Sequence, residues 1–237
     1  MNRALFGFII ALLIAGLVVA TMILQSTHRA GRITPAQSST QQPPASPASL
    51  PTTNTEAEPD PPPTTDPWAL HRAVTAGNLG RMQVLIAAGA DLNAIETDGD
   101  FAPLHFAARL GQTSAAKLLL DAGADPNIAN SVGMTPLLVA SHFGTASIVK
   151  LLIEHGADVD ALGTEQGIAA LHVAAENGDA QIVRLLLDAG ATIPIKNAFG
   201  YTPVQLAQNA DHPDIAQMII DEYVRRKEIE KGTSTAP

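Results

Sequence analysis

Hydrophobic and polar positions divide the chain into three zones. Residues Ala4 to Leu24, ALFGFIIALLIAGLVVATMIL, are 21 consecutive residues in which Thr21 is the only polar side chain. A helix of that length rises about 31 Å and matches a bilayer core of ~30 Å. The pattern therefore predicts a single transmembrane signal-anchor over 4–24, behind a short tail at 1–3. A cleaved signal peptide is the competing reading, with VVA ending at Ala20 before the cut, but Met22, Ile23 and Leu24 carry the apolar run past it. Residues 25–66 then turn polar, and the run from Ile33 to Asp66 is dominated by Pro, Ser, Thr and Gln. Such a stretch cannot bury enough surface to offset its ordering entropy, so it is expected to be a disordered linker of polyproline character.

From Pro67 the apolar pattern becomes periodic. VLIAAGAD, LLLDAGAD, LLIEHGAD and LLLDAGAT place Gly89, Gly123, Gly156 and Gly190 at spacings of 34, 33 and 34. A second word keeps step: WALHRAVTAG, APLHFAARLG, TPLLVASHFG, AALHVAAENG and TPVQLAQNAD set Leu70, Leu104, Leu137, Leu171 and Val204 at the same intervals. Two registers with one period indicate repeated units, here at about 67–96, 97–129, 130–163, 164–196 and 197–224, followed by a basic helix end and disordered tail over 225–237. Each unit reads as two short helices. In the third, Thr135 is placed to cap, Pro136 to open the first helical turn, and Leu137, Val139 and Ala140 to face inward. Gly144 ends that helix, and Ile148, Val149, Leu151 and Leu152 form the stripe of the second. Gly156 falls where a helix end needs left-handed backbone.

The T-P-L-H-x-A-A and G-A-D-x-N words resemble those of the ankyrin repeat family over about Pro67 to Val224. The resemblance implies an all-α solenoid of five helix-turn-helix units joined by β-turn fingers. Hairpins of this kind bury both apolar faces only when stacked. The end units depart from the pattern: Trp68-Ala69 stands for Thr-Pro in unit one, and Gln205 and Asp211 replace the His and inner Gly of unit five.

Charge and chemistry narrow the function. The net charge is −9, which opposes nucleic-acid binding. Between Trp68 and Val224 there are 7 Lys and Arg against 17 Asp and Glu, so the repeats carry the acidity and would steer a basic protein partner. Cysteine is absent, which rules out thiolate chemistry and Cys-ligated zinc. His71, His105 and His172 recur once per repeat, but stacking separates neighbours by ~10 Å, too far to share a metal. The resemblance gives this His a structural role, bonding the Thr-Pro turn and nearby backbone. The ETDGD finger, Glu96 to Asp100, lacks the ligand spacing of a calcium loop. No Ser-His-Asp order, HExxH, P-loop or GxGxxG word occurs, so neither an enzyme, a cofactor nor a small-molecule substrate is expected.

The resemblance implies a partner site on the finger tips and the exposed, concave side of the first helices. Carried over by position, this gives Asp98, Phe101, Arg109 and Leu110; Ser131, Met134, His142 and Phe143; Glu165, Ile168, Glu176 and Asn177; and Phe199, Tyr201, Gln208 and Asn209. Phe101, Met134, Ile168 and Tyr201 share one finger position and are either a binding row or packing between adjacent fingers. The expected function is a membrane-tethered module for protein-protein interaction, the alternative an inhibitor or immunity-type protein covering a basic toxin or enzyme. Arg3 precedes the apolar span while His28, Arg29 and Arg32 follow it, so flanking charge does not decide orientation. The very short amino tail is the usual layout of an exported signal-anchor, which puts the repeats on the periplasmic or extracytoplasmic side.

Overall fold

The computed structural model describes residues 66–96 and 100–233. The anchor expected at 4–24, the linker up to residue 65, Asp98 and the tail from 234 lie outside them. The described residues form five helix pairs: α1 (Ala69–Thr75) with α2 (Leu79–Ala87), α3 (Pro103–Arg109) with α4 (Thr113–Asp121), α5 (Pro136–His142) with α6 (Ala146–Glu154), α7 (Ala170–Asn177) with α8 (Ala180–Asp188), and α9 (Pro203–Asn209) with α10 (Pro213–Thr233). First helices stack on first helices and second on second, giving two layers. Among the described residues the only β pairing is an isolated antiparallel bridge between Gly163 and Ile168. No helix among them is long and apolar enough to cross a membrane.

The local signals act as the sequence predicts. The Thr135 hydroxyl accepts the Leu138 N–H at 3.3 Å with Pro136 opening α5, and the Thr202 hydroxyl accepts the Gln205 N–H at 3.4 Å. Leu137, Val139, Ala140, Ile148, Val149 and Leu152 are buried, while Leu151 packs at the core's edge. Gly156 has φ +86°.

Three sets of contacts tie each unit to the next. The first runs along the GADxN words. The Asp91, Asp125 and Asp158 carboxylates each accept the N–H two residues on, at 2.9, 2.8 and 3.0 Å. The side chain at that second position then accepts a backbone N–H from the following unit: Asn93 from Asp125 at 2.9 Å, Asn127 from Asp158 at 2.7 Å, and Asp160 from Thr192 at 2.8 Å. Thr192 departs from the word because Asp160 does too: its hydroxyl donates to the second Asp160 oxygen at 2.6 Å.

The second set joins each first helix to the next finger. His105 Nδ1 accepts the Ala102 N–H at 3.2 Å and its Nε2 donates to the Met134 carbonyl at 2.9 Å; His172 repeats this with Ala169 at 3.2 Å and Tyr201 at 3.1 Å. These bonds need the neutral Nε2–H tautomer. In unit one Trp68 donates instead to Asp66, and His71 reaches the Ala94 carbonyl at 2.9 Å. In unit three Leu138 stands in the His place and packs directly on Gly163. A Cβ at Gly163 would lie 2.2 Å from Leu138 Cδ1 and 2.8 Å from the Gly133 carbonyl oxygen, so the absent side chain is what admits leucine.

The third set covers the inner glycines. The His212 ring lies within 2.8 Å of where a Gly178 Cβ would stand, and Gly178 has φ +76°. Asp211 holds the same left-handed position in unit five at φ +70°. No further described unit stacks on it, so its side chain has room, and the residual cost is the modest one that Asp carries in this region.

The last helix runs through the basic stretch to Thr233. Arg226 folds back to donate to the Ala191 carbonyl at 2.8 Å and to the Leu187 carbonyl, placing a cation at the carboxyl end of α8. Arg225 and Arg226 together hold the Glu222 carboxyl down to about 2.

Burial lowers His105 from its ordinary 6.5 to about 4, against the raising effect of its bond to Met134. Its folded value is depressed, so its contribution is present above pH 6.5 and is lost as pH falls toward 4, by about 3 kcal/mol in all. His105→Gln, which copies the Gln205 side chain accepting the Thr202 N–H at 2.9 Å, is expected to flatten the acid limb of stability in urea melts between those pH values. Gly163→Ala is expected to cost about 1–3 kcal/mol; adding Leu138→Ala should recover only part, because the Gly133 carbonyl remains.

Candidate functional site

The carboxyl ends of the first helices bring one position per unit into a row: Thr75, Arg109, His142, Glu176 and Asn209. Beside it runs a second row, Ala76, Leu110, Phe143, Asn177 and Ala210. The helix period sets these positions on the far side from Leu104, Leu137 and Leu171, which enter the core. The first row is half-buried at its centre, and the second exposes Leu110 (43%) and Phe143 (42%).

Each member is held by its surroundings. The Arg109 guanidinium lies over the Phe106 ring at 4.9 Å and the Phe101 ring at 5.8 Å. Those rings belong to a cluster: Phe101 meets Phe106 edge-on at 5.9 Å, and Phe106 meets His71 at 6.0 Å. The two rings attract the cation through their faces and restrain where it sits. His142 meets Phe143 edge-on at 5.0 Å, and the Asn177 amide donates to the His142 carbonyl at 3.1 Å. Burial lowers Arg109, with the nearby Glu96 carboxylate opposing, and burial alone lowers His142 and raises the Glu176 carboxyl.

The finger position expected to hold a row of large apolar residues divides. Phe101 (8% exposed), Met134 (8%) and Ile168 (9%) are buried. The finger turn is common to buried and half-buried members: Asn130 accepts the Met134 N–H at 2.8 Å and donates its own N–H to the Met134 carbonyl at 3.1 Å, and Asn197 makes the same two bonds with Tyr201, both at 3.0 Å. What differs is cover, since no further described unit follows the one that carries the last finger. Tyr201, in the last finger, stays half-buried, and Phe199 at its tip is 53% exposed. The finger tips are also linked. Ser131 donates to the Asp100 carboxylate, the Thr164 N–H to the Val132 carbonyl at 2.9 Å, and the Ala198 N–H to the Gln166 carbonyl at 2.8 Å.

The structure thus brings Arg109, His142, Phe143, Glu176 and Asn177 onto one face and sets Phe199 and Tyr201 at the last finger. Sequence reasoning passed over Val132, 43% exposed at the tip position equivalent to Phe199; aligning the two N-x-x-G turns, Asn130 to Gly133 and Asn197 to Gly200, would have found it. The three repeated histidines are occupied by the backbone contacts described above. Among the described residues no group of three or more His, Cys, Asp or Glu is placed to hold a metal ion.

Phe101→Ala is expected to lower stability by about 3 kcal/mol, read as an earlier urea midpoint, through lost burial and a cavity. Phe143→Ala, on the open face, should stay within about 0.5 kcal/mol of the parent chain.

Comparison with known proteins agrees with this architecture. A family model described as "Ankyrin repeats (3 copies)" matches residues 56–130, 104–197 and 162–232. Among curated proteins, the chain is 40% identical over 73 residues to the 2-5A-dependent ribonuclease of Mus musculus, covering 31% of this chain and 10% of that protein. It is 43% identical over 68 residues to the ARF GTPase-activating protein Git of Drosophila melanogaster, 29% of this chain and 9% of that one. With the Neurogenic locus Notch protein of Drosophila melanogaster it shares 51% over 53 residues, 22% and 2% of the two chains. The chain spans a tenth or less of the length of these relatives. The family matches together run from residue 56 to 232, most of the chain, and the chain belongs to the ankyrin repeat family.

Proposed function

We propose that this chain is a membrane-tethered ankyrin module that captures a protein partner on the concave face of its first helices. The observation that carries the reading is the pair Leu110 and Phe143, exposed side by side on neighbouring stacked helices and flanked by half-buried Arg109, His142 and Glu176. An apolar centre with aromatic and Arg anchors and a polar surround is the composition of an interaction hot spot. Ankyrin repeats are in general modules for protein-protein interaction, and none of the catalytic words listed above occurs in the chain.

The tether is supported by the 21-residue apolar run at 4–24 and the Pro/Ser/Thr-rich linker behind it. Together they would raise the local concentration of a captured partner near the bilayer. We place the repeats on the exported side, since a long domain behind such an apolar run translocates largely regardless of its charge. The excess of acidic residues in the repeats favours a basic partner, and the same excess supports a second reading, an inhibitor or immunity-type cover for a basic toxin or enzyme.

Two measurements test this. External protease on sealed cells should cut the linker and release the repeats; full protection would place them inside. Affinity capture with the full chain should yield a protein whose binding falls at least about tenfold with Phe143→Ala. If that protein is a basic enzyme whose activity drops on binding, the inhibitor reading replaces the tether-and-capture one.

A further inference from the structure

The concave row contains two opposite charges that the fold desolvates and leaves without a hydrogen-bond partner among the described residues. The Arg109 guanidinium lies over the Phe106 and Phe101 rings, with the Glu96 carboxylate acting on it through space but not bonded to it. Among the described residues the Glu176 carboxylate, at the equivalent position two units on, has no donor or cation bonded to it. Their separation explains why they do not neutralise each other. Helices α3, α5 and α7 stack in order, and two layers of about 10 Å each put the charges roughly 20 Å apart. Between them stand half-buried His142, with Leu110 and Phe143 exposed alongside.

Water hydrates a half-buried ion poorly, so each group gains more from a charged hydrogen-bond partner than an open surface residue would. A guanidinium held over the two rings can take a carboxylate with two parallel bonds. The two ends of the row therefore ask for opposite chemistry in a fixed order along the solenoid.

Building on the concave-face reading, we propose that this row selects a protein segment by its charge order: a carboxylate set on Arg109, an apolar side chain on Leu110 and Phe143, and a Lys or Arg on Glu176. In an extended segment rising ~3.3 Å per residue, the two charged residues stand about six apart. The burial of both ions supports this, since burial lowers the Arg109 guanidinium and raises the Glu176 carboxyl. The device goes beyond a general attraction between the acidic repeats and a basic partner, because one end of the row is cationic and prefers an acidic residue.

The test is selection of random sixteen-residue peptides on the full chain held in lipid nanodiscs. Peptides that bind are expected to carry an Asp or Glu and a Lys or Arg about six residues apart with an apolar residue between. Arg109→Gln and Glu176→Gln should each weaken them about tenfold. The double variant Arg109→Glu, Glu176→Arg should prefer peptides with the charges in reverse order. Glu176→Gln removes charge without changing shape, and its urea midpoint controls for folding should the double variant prove unstable. Peptides that lose binding with Phe143→Ala but keep it within twofold in both Gln variants would overturn the charge reading and leave the concave face standing. Peptides indifferent to all of these substitutions, or recovery of none, would overturn the charge reading together with the face it rests on.

Discussion

A hairpin built from a seven-residue and a nine-residue helix has two apolar faces and can cover neither alone. Everything else in this domain follows from that constraint. Leu104, Leu137 and Leu171 lose nearly all contact with water because the units before and after close over them. Stacking must also satisfy the backbone groups at each turn, and the links from Asn93 to Asp125, Asn127 to Asp158 and Asp160 to Thr192 do so. These are the reason the GADxN word recurs. Its Asp shapes its own turn, and its Asn serves the next unit.

Departures from the words are compensated locally. Asp160 and Thr192 change together and gain a side-chain bond; Leu138 replaces a histidine where Gly163 leaves space for it. Asp211 keeps the left-handed turn of an inner glycine at the end of the described stack. In each case what surrounds the position in the stack, rather than the helix that carries it, decides what is tolerated.

The layer spacing also governs what the domain can do. A separation of about 10 Å keeps equivalent histidines from meeting around a metal, and over two layers it keeps Arg109 and Glu176 from pairing. The first effect turns a tempting ligand series into three structural imidazoles, each bonded to a finger or loop carbonyl. The second keeps two half-buried ions of opposite sign apart along the concave row, which is the feature the proposed recognition uses.

Much of the fold was legible because helix stacking imposes a period, and a period is visible in one sequence. The five units follow from that period, and the Thr135 cap and the left-handed Gly156 follow from residues within a turn of one another. The candidate face was legible only in part. Arg109, His142 and Glu176 could be placed in one row by counting, yet counting could not tell Phe101, Met134 and Ile168, buried among the fingers, from Phe143 and Phe199, which are exposed. Whether a finger side chain is buried depends on what packs beside it: Met134 and Tyr201 share the same turn bonds, yet only Met134 has a further described unit beyond the one that carries it. Sequence by itself determined the repeat, its register and its charge, because these are local and periodic. Tertiary structure alone decided which of the face and finger side chains are desolvated, because burial depends on neighbours about thirty residues away in the adjoining units.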